Sequence, residues 1–407
     1  MKDIIMNTAA KFFGILLLAG LFGAARGETP RENVYVWTTN DHSGWKAMSN
    51  YPLGYVIAGN KFFEPDNTSV FVTGFNDLSK HEWTTTNSVV QHGFSGLDVL
   101  WKSYTNIGPA ASPSGFFIAT SGQKDGTHSY YTLQIDKTGG VIREAFGDLP
   151  NGWTFGAAAP GNDGGFITVG SSSMGTLVVT KFLADGTLDW NKDLAIQGFG
   201  WTIKSAPGGG YVIGSTKATA TRIDNDGNIV WSTAAVLPVS PPPDGSAYTY
   251  TEFEEILPQV HTGSGFVMTG SAFSNSTSAA YTAYFNWEGS TGWSKINDAV
   301  NTGLPGTPVA WTNSAVEKYS PDSGTWNVLY TWRHGPVSSG GDLKYDLMNG
   351  ATGTTVQSGG LNNTIPVQEA FTIPQLLLNR VVIGGTRGGY GGVYSYSITD
   401  LPEGDLP

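Results

Sequence analysis

The chain contains no cysteine, so disulfides, thiolate metal sites, cysteine nucleophiles and a lipidated N-terminal cysteine are all excluded. Stability has to come from packing and from the way the fold closes. Charge is scarce as well: Asp, Glu, Lys and Arg make up 14% of the residues. Acid predominates within that small share, with 33 Asp and Glu against 22 Lys and Arg and a net charge of −11. A surface of that sign repels phosphate backbones, so nucleic acid is not an expected partner. The six histidines (His42, His81, His92, His128, His261 and His334) are scattered, with no His-x-His or helical metal spacing, and no metal or cofactor is expected. No Gly-x-Ser-x-Gly elbow and no phosphate-binding loop occur. Long apolar runs are missing but for Phe12 to Ala24, which falls short of the roughly 20 residues a span needs. That run follows a basic-leaning start and precedes Ala25-Arg26-Gly27, the pattern of a secretory signal peptide over residues 1–27. The expected mature protein is residues 28–407, with no membrane span, secreted and extracellular, or periplasmic in a bacterium.

What the chain has in abundance is glycine (55) and aromatic residues: 13 Trp, 17 Tyr and 20 Phe. That balance suits an all-β protein rich in turns. The stretch from Gly164 to Ser232 repeats one pattern twice: Gly-Gly-Phe-Ile-Thr-Val-Gly, a strand, Ala-Asp-Gly-Thr-Leu-Asp-Trp, then Gly-Gly-Tyr-Val-Ile-Gly, a strand, Asn-Asp-Gly-Asn-Ile-Val-Trp. The landmarks Phe166 and Tyr211 lie 45 residues apart, a period typical of propeller blades. Looser copies start their second strand at Tyr55, Phe116, Phe266, Trp326 and Val381, making seven in all. The expected fold is therefore one seven-bladed β-propeller of four-stranded antiparallel blades over residues 28–407.

Turns are expected after each third strand, at Asn76-Asp77, Lys137 to Gly140, Asp185-Gly186, Asp226-Gly227, Glu288-Gly289 and Asn349-Gly350. Asp-Gly and Asn-Gly there point to two-residue turns with both central residues at positive φ. The fourth strands carry Trp83, Trp190, Trp231 and Trp293, with Phe146 and Val356 in that place in two weaker copies. The last copy ends soon after Ile398 without a fourth strand, while Asn33-Val34-Tyr35-Val36-Trp37 matches Asn228-Ile229-Val230-Trp231. The expectation is that residues 33–37 pair beside residues 392–398 and close the ring. Ile135-Asp136-Lys137-Thr138-Gly139-Gly140 and Ile223 to Trp231 resemble the Ala-x-Asp-x-x-Thr-Gly-x-x-x-Trp repeat of the quinoprotein-like propellers. The Gly-Gly-Tyr-Val-Ile-Gly segments are similar to repeats of secreted and cell-surface bacterial propellers. The resemblance implies a fold; it brings no catalytic residue, and the pyrroloquinoline and calcium of the quinone-dependent dehydrogenases are not expected here.

Four tryptophans, Trp45, Trp153, Trp201 and Trp311, precede or begin the first strands and are the candidate ligand-binding set, as flat rings suit sugars or extended peptides. Blade-to-blade packing is the competing role for the same rings. Asp98, Glu252, Glu254, Glu255 and Glu369 fall near the same end, where two carboxylates about 5–9 Å apart would serve glycoside hydrolysis; solvated loop charges are the alternative. The run Tyr248 to Glu255, after the insertion Pro238 to Asp244, is a candidate contact surface. Asp224-x-Asp226-Gly227-Asn228 looks like part of a calcium loop but lacks the distal Glu and falls where the other copies turn. Asn67, Asn275 and Asn362 head glycosylation sequons. The sequence favours a secreted or surface binding module holding a glycan, a peptide or a protein partner. A polysaccharide hydrolase or lyase and a structural subunit of an extracellular assembly are the alternatives.

Overall fold

The computed structural model of the chain describes residues 31–397, apart from 37–42, 52–53, 62–68, 77–80, 89–91, 99–103, 108–114, 235–247, 249, 259–263, 275–276, 302–309, 321–324, 335–341, 362–368, 371–374, 378–379 and 388–389. In the first, sixth and seventh sheets most strand residues are described by their backbone alone. The proposed signal peptide, His42, Trp37, the insertion Pro238 to Asp244 and the three sequon asparagines lie outside the described residues.

The described chain is all β, arranged in seven antiparallel sheets. The first sheet runs β2 (Ser43–Tyr51), β3 (Gly54–Lys61), β4 (Ser69–Asn76), β5 (His81–Ser88). The second has a first strand in two pieces, β6 (Phe94–Asp98) and β7 (Tyr104–Ile107), then β8 (Gly115–Lys124), β9 (Thr127–Asp136) and β10 (Val141–Asp148). The third holds β11 (Ala157–Pro160), β12 (Phe166–Ser171), β13 (Thr176–Phe182) and β14 (Leu188–Gln197). The fourth is β15 (Gly200–Ser205), β16 (Tyr211–Ser215), β17 (Thr219–Ile223) and β18 (Ile229–Ala234). The fifth consists of β19 (Tyr250–Pro258), β20 (Gly265–Phe273), β21 (Thr277–Asn286) and β22 (Thr291–Asn301). In the sixth are β23 (Ala310–Ser320), β24 (Thr325–His334), β25 (Asp342–Asn349) and β26 (Thr355–Leu361). The seventh joins β27 (Glu369–Ala370), β28 (Gln375–Leu377), β29 (Arg380–Arg387) and β30 (Tyr390–Ser397) to β1 (Arg31–Val36). Sequential neighbours pair in each sheet, as the short turns require.

In the second to fifth sheets the second and third strands are largely buried on both faces; β13 is buried at every residue. This explains their continuous apolar runs: each of these sheets packs against the one before and the one after. Phe117, Ala119 and Tyr130 of the second sheet share a core with Phe155, Phe166 and Phe182 of the third, the Phe117 and Phe166 rings stacking at 4.5 Å. Ile167, Val169 and Val179 meet Ile203, Tyr211 and Ile213 of the fourth sheet. Val212 and Ala220 meet Phe253, Phe266 and Tyr281 of the fifth. Truncating such a fully buried Phe costs about 3–5 kcal/mol.

Between third and fourth strands the turns follow one plan that differs from the expected two-residue form. Asp136 N–H donates to Gly140 O (2.8 Å) and Gly139 N–H to Asp136 O (3.1 Å). The same pair of bonds recurs at Leu183/Thr187/Gly186, Asp224/Asn228/Gly227 and Asn286/Ser290/Gly289. Only the glycine has positive φ (+72 to +88 across these and neighbouring turns), which identifies three-residue loops ending in a left-handed glycine. In the sixth sheet the loop is one residue longer, and the left-handed residue is Gly353 rather than Gly350. The first turn residue is often an acid or amide because its side chain caps the loop. Asp136 Oδ1 accepts from Thr138 N (2.7 Å), Thr138 Oγ1 (2.7 Å) and Gly140 N (2.9 Å).

Just beyond each turn the fourth strand carries a β-bulge, a residue left out of the ladder. It falls at Glu82, Ile142, Asp189, Val230, Gly292 and Val356. β1 has it too, between Arg31 and Asn33, so the N-terminal strand has the register of a true fourth strand. Asn33 faces Ser395 and Val36 faces Gly392, which meets the expected pairing of the two chain ends. The next residue in register is the tryptophan of four sheets: Trp83, Trp190, Trp231 and Trp293. Where the sequence suggested Phe146, Val356 and Trp37, the register places Arg143, Gln357 and Asn33. The extra bulge residue, invisible to a periodicity of two, accounts for the one-place error at Val356; Phe146 and Trp37 stand three and four places farther along the chain than Arg143 and Asn33, and the bulge does not explain them.

Each of these tryptophans lies over the turn glycine of the following sheet. A Cβ on Gly139 would stand 2.5 Å from the Trp83 ring, one on Gly227 2.6 Å from Trp190, one on Gly289 2.8 Å from Trp231 and one on Gly353 2.7 Å from Trp293. Three also donate Nε1–H into that turn: Trp83 to Lys137 O (3.1 Å), Trp231 to Trp287 O (2.9 Å) and Trp293 to Gly350 O (3.0 Å). Between the second and third sheets, Thr132 Oγ1 donates to Gly186 O (2.9 Å) and Leu188 N–H to the Tyr130 hydroxyl (3.1 Å) instead.

Two predictions follow from these turns. Gly227→Ala, at φ +76, forces a left-handed alanine and displaces the Trp190 ring. Gly208→Ala has a matching φ of +78 with nothing within 4 Å of the added carbon. The expected loss in guanidinium denaturation is about 1 kcal/mol for Gly208→Ala and about 1–3 kcal/mol more for Gly227→Ala. The second concerns pH. The Thr138 hydroxyl first, aided by backbone N–H groups, holds the Asp136 carboxyl below its usual 3.8. A depressed carboxylate contributes stability that is complete above its unfolded pKa and is lost as pH falls through the folded value. Asp136→Asn keeps the acceptor but not the charge, so its acid unfolding curve below about pH 4 is flatter than that of the parent.

Candidate functional site

The first strands of neighbouring sheets touch one another: β2 with β7, β7 with β11, β11 with β15, β15 with β19 and β19 with β23. Their entry ends share an irregularity. In β2, β15, β19 and β23 one residue is bulged out of the ladder: Lys46, Trp201, Glu254 and Asn313. In β11, Gly156 N–H donates to Val169 O (2.6 Å) although Ala157 is the residue facing Val169, so two residues oppose one there as well. In the second and seventh sheets the first strand breaks at this level into β6 and β7, and into β27 and β28.

Set on this frame, the four candidate tryptophans are not equivalent positions. Trp201 is itself the bulged residue, Trp45 precedes Lys46, Trp311 stands two before Asn313, and Trp153 three before Gly156. A Cβ on Gly156 would collide with the Phe199 ring at 2.6 Å, so the third sheet has no room for a ring where the fourth has one. Trp153 is 8% exposed, and its carbonyl lies 2.6 Å from His128 Nε2, a bond that the Nε2–H tautomer donates. Trp201 is half-buried and packs against Phe199 at 4.4 Å. Its Nε1–H is out of solvent with no acceptor in the structure. Trp45 and Trp311 are described by backbone alone, as are Glu252, Glu254, Asp98 and Glu369.

Among the expected carboxylates, Glu255 is buried, with Lys204 of the adjacent sheet 3.0 Å from it. An ion pair of that kind spans β15 and β19 and is satisfied without a ligand. The calcium-like run is a turn: Asp224 Oδ1 accepts from Asp226 N (2.9 Å) and Asn228 N (2.8 Å). Lys192 Nζ stands 3.0 Å from Asn228 Oδ1, a cation already seated where calcium would go. Among the described residues no group of three His, Cys, Asp or Glu is arranged to hold a metal, and no helix is long and apolar enough to cross a membrane.

At this end the ladders run on past the strands within each sheet: Leu149 N–H donates to His128 O (2.9 Å), Thr154 N–H to Ser171 O (2.9 Å), Gly198 N–H to Gly175 O (2.8 Å) and Thr216 N–H to Phe199 O (3.0 Å). Ala218 N–H to Thr251 O (3.1 Å) crosses from the fourth sheet to the fifth. Among the described residues, the four non-glycine residues with positive φ, Asp125, Ala195, Lys217 and Ala218, lie at this same end. Asp125-Gly126 and Lys217-Ala218 are the two-residue turns with both centres left-handed; the expected turn chemistry exists, but at the opposite end from where the sequence suggested it. Left-handed Lys and Ala cost about 1–2 kcal/mol each, and backbone strain of this sort gathers at functional sites. Phe199 and the Lys217 hairpin escaped the sequence reading; no aromatic or Asn-Gly pattern marks them.

No family model matches the chain, and no curated protein does. Solved structures do match. One is the crystal structure of BamB from Moraxella catarrhalis, at 11% identity and a TM-score of 0.46, over 91% of this chain and 99% of that one.

Replacing Lys217-Ala218 by Asn-Gly, the residues that such a turn prefers, is expected to raise stability by about 1 kcal/mol. Thermal unfolding of the double variant checks it; a lower melting temperature would mean the Lys217 or Ala218 side chain contributes more than the strain costs.

Proposed function

We propose that residues 28–407 form one seven-bladed β-propeller closed by β1, exported after removal of residues 1–27. It acts as an interaction module that holds an extended segment of a partner protein on the loop face around Trp201. Two things support the closure. β1 carries the fourth-strand bulge in register, and β28 touches both β23 and β2, completing a circuit of first strands. The observation that carries the binding role is the Phe199–Trp201 pair, half-exposed on the end where the left-handed non-glycine residues lie. A face already ordered loses little entropy on binding. The spare Trp201 N–H offers a donor to a peptide carbonyl once the ring shifts. The same ring pair favours a second reading, a glycan stacked on Trp201.

The test is a peptide-display selection against the mature protein, run beside a glycan array, with Trp201→Ala and Trp83→Phe compared. Peptide ligands that lose tenfold or more in affinity (about 1.4 kcal/mol) in Trp201→Ala, and none in Trp83→Phe, support the protein reading. Glycan hits with that same pattern replace it by the second. Ligands indifferent to Trp201 place the binding face elsewhere.

A further inference from the structure

Sheet seven is the one sheet whose fourth strand comes from the far end of the chain. The tryptophan that clasps each sheet to the next is present from the first to the second, the third to the fourth, the fourth to the fifth and the fifth to the sixth. It is replaced by Gln357 on the sixth sheet and by Asn33 on β1, so no ring is offered at the register position on either side of the seventh. The seventh also has no third-to-fourth turn to receive one, because β30 and β1 are not joined by a hairpin. β1 is the end strand of its sheet, held by a single ladder to β30. Its release removes one ladder and leaves the rest of the chain's sheet pairings intact.

We propose that the edge of β30 is a strand-acceptor site whose occupant, Arg31–Val36, is exchangeable, and that it accepts the same strand from a second copy of this chain. The second copy is the fitting occupant because its strand brings an identical register, Val34 opposite Tyr394 and the bulge between Arg31 and Asn33. Such an exchange creates no new contact and loses none, the usual low-cost route to a swapped dimer. This inference rests on the closure proposed above.

The absence of cysteine makes the test clean. Val34→Cys and Tyr394→Cys are made singly and together, and Tyr35→Cys with Val393→Cys likewise, since these are adjacent facing pairs and one of two neighbouring pairs is the narrow, non-hydrogen-bonded kind. In the double variant an internal disulfide is expected, seen as a mobility shift on a non-reducing gel. Mixing the two single variants at high concentration, with incubation in denaturant well below the unfolding midpoint before oxidation, is expected to give a covalent species of twice the monomer mass. That species should exceed what either single variant yields alone by at least tenfold. An internal disulfide in the double variant without any mixed species overturns the exchange and leaves the closure standing. If neither double variant forms an internal disulfide, the β1–β30 pairing is wrong, and closure and exchange both fall.

Discussion

The contact on which the rest of the structure depends is a tryptophan of one sheet lying over a left-handed glycine of the next. Sheets with two buried faces have strong but undirected cores: aromatic and aliphatic side chains exclude water without fixing one sheet's height against its neighbour. The indole adds direction. Its flat face needs the bare Cα of a glycine, and in three of the four pairs its N–H takes a carbonyl two or three residues before that glycine, so that the pair seats in one relative position. The three-residue turn provides both groups, and the bulge in the fourth strand aims the ring. The bulge and the turn also occur without the ring, as at Ile142 and Gly186; where the tryptophan is present, the three parts act together.

Much of this was legible in the sequence. The repeated Gly-Gly-aromatic segments marked the second strands, the Gly-rich turns bounded the hairpins, and the pairing of the chain ends could be read from the absence of a last fourth strand after Ile398. Registers were not legible. A bulge inserts one residue without any composition of its own, as Glu82, Ile142, Gly292 and Val356 show, so counting from the turn lands on the wrong residue. Trp37, Phe146 and Val356 were chosen for being large, while Asn33, Arg143 and Gln357 hold the place. The candidate site suffered in the same way. Four tryptophans near the start of four first strands look like one ring of equivalent positions, yet each stands at a different distance from the bulge.

The two ends of the sheets have different characters. At the turn end, strain is absorbed by glycine, and the polar atoms of Asp136, Asp224 and Asn286 are consumed within their own loops. At the opposite end, alanine and lysine occupy left-handed conformations. Stability alone would have favoured glycine and asparagine at Lys217 and Ala218.

The fourth-strand bulge has a consequence beyond positioning a ring. An outermost strand displays a row of free amide and carbonyl groups, a template on which further strands can grow into fibrils. Here that row is broken at the same height in every sheet, so a regular strand laid alongside falls out of step within a few residues. A chain with many sheet edges and low charge density is thereby guarded against polymerising through its rim. The geometry that guards against unwanted pairing is the same geometry that lets the N-terminal strand, with its matching irregularity, be recognised as the proper occupant.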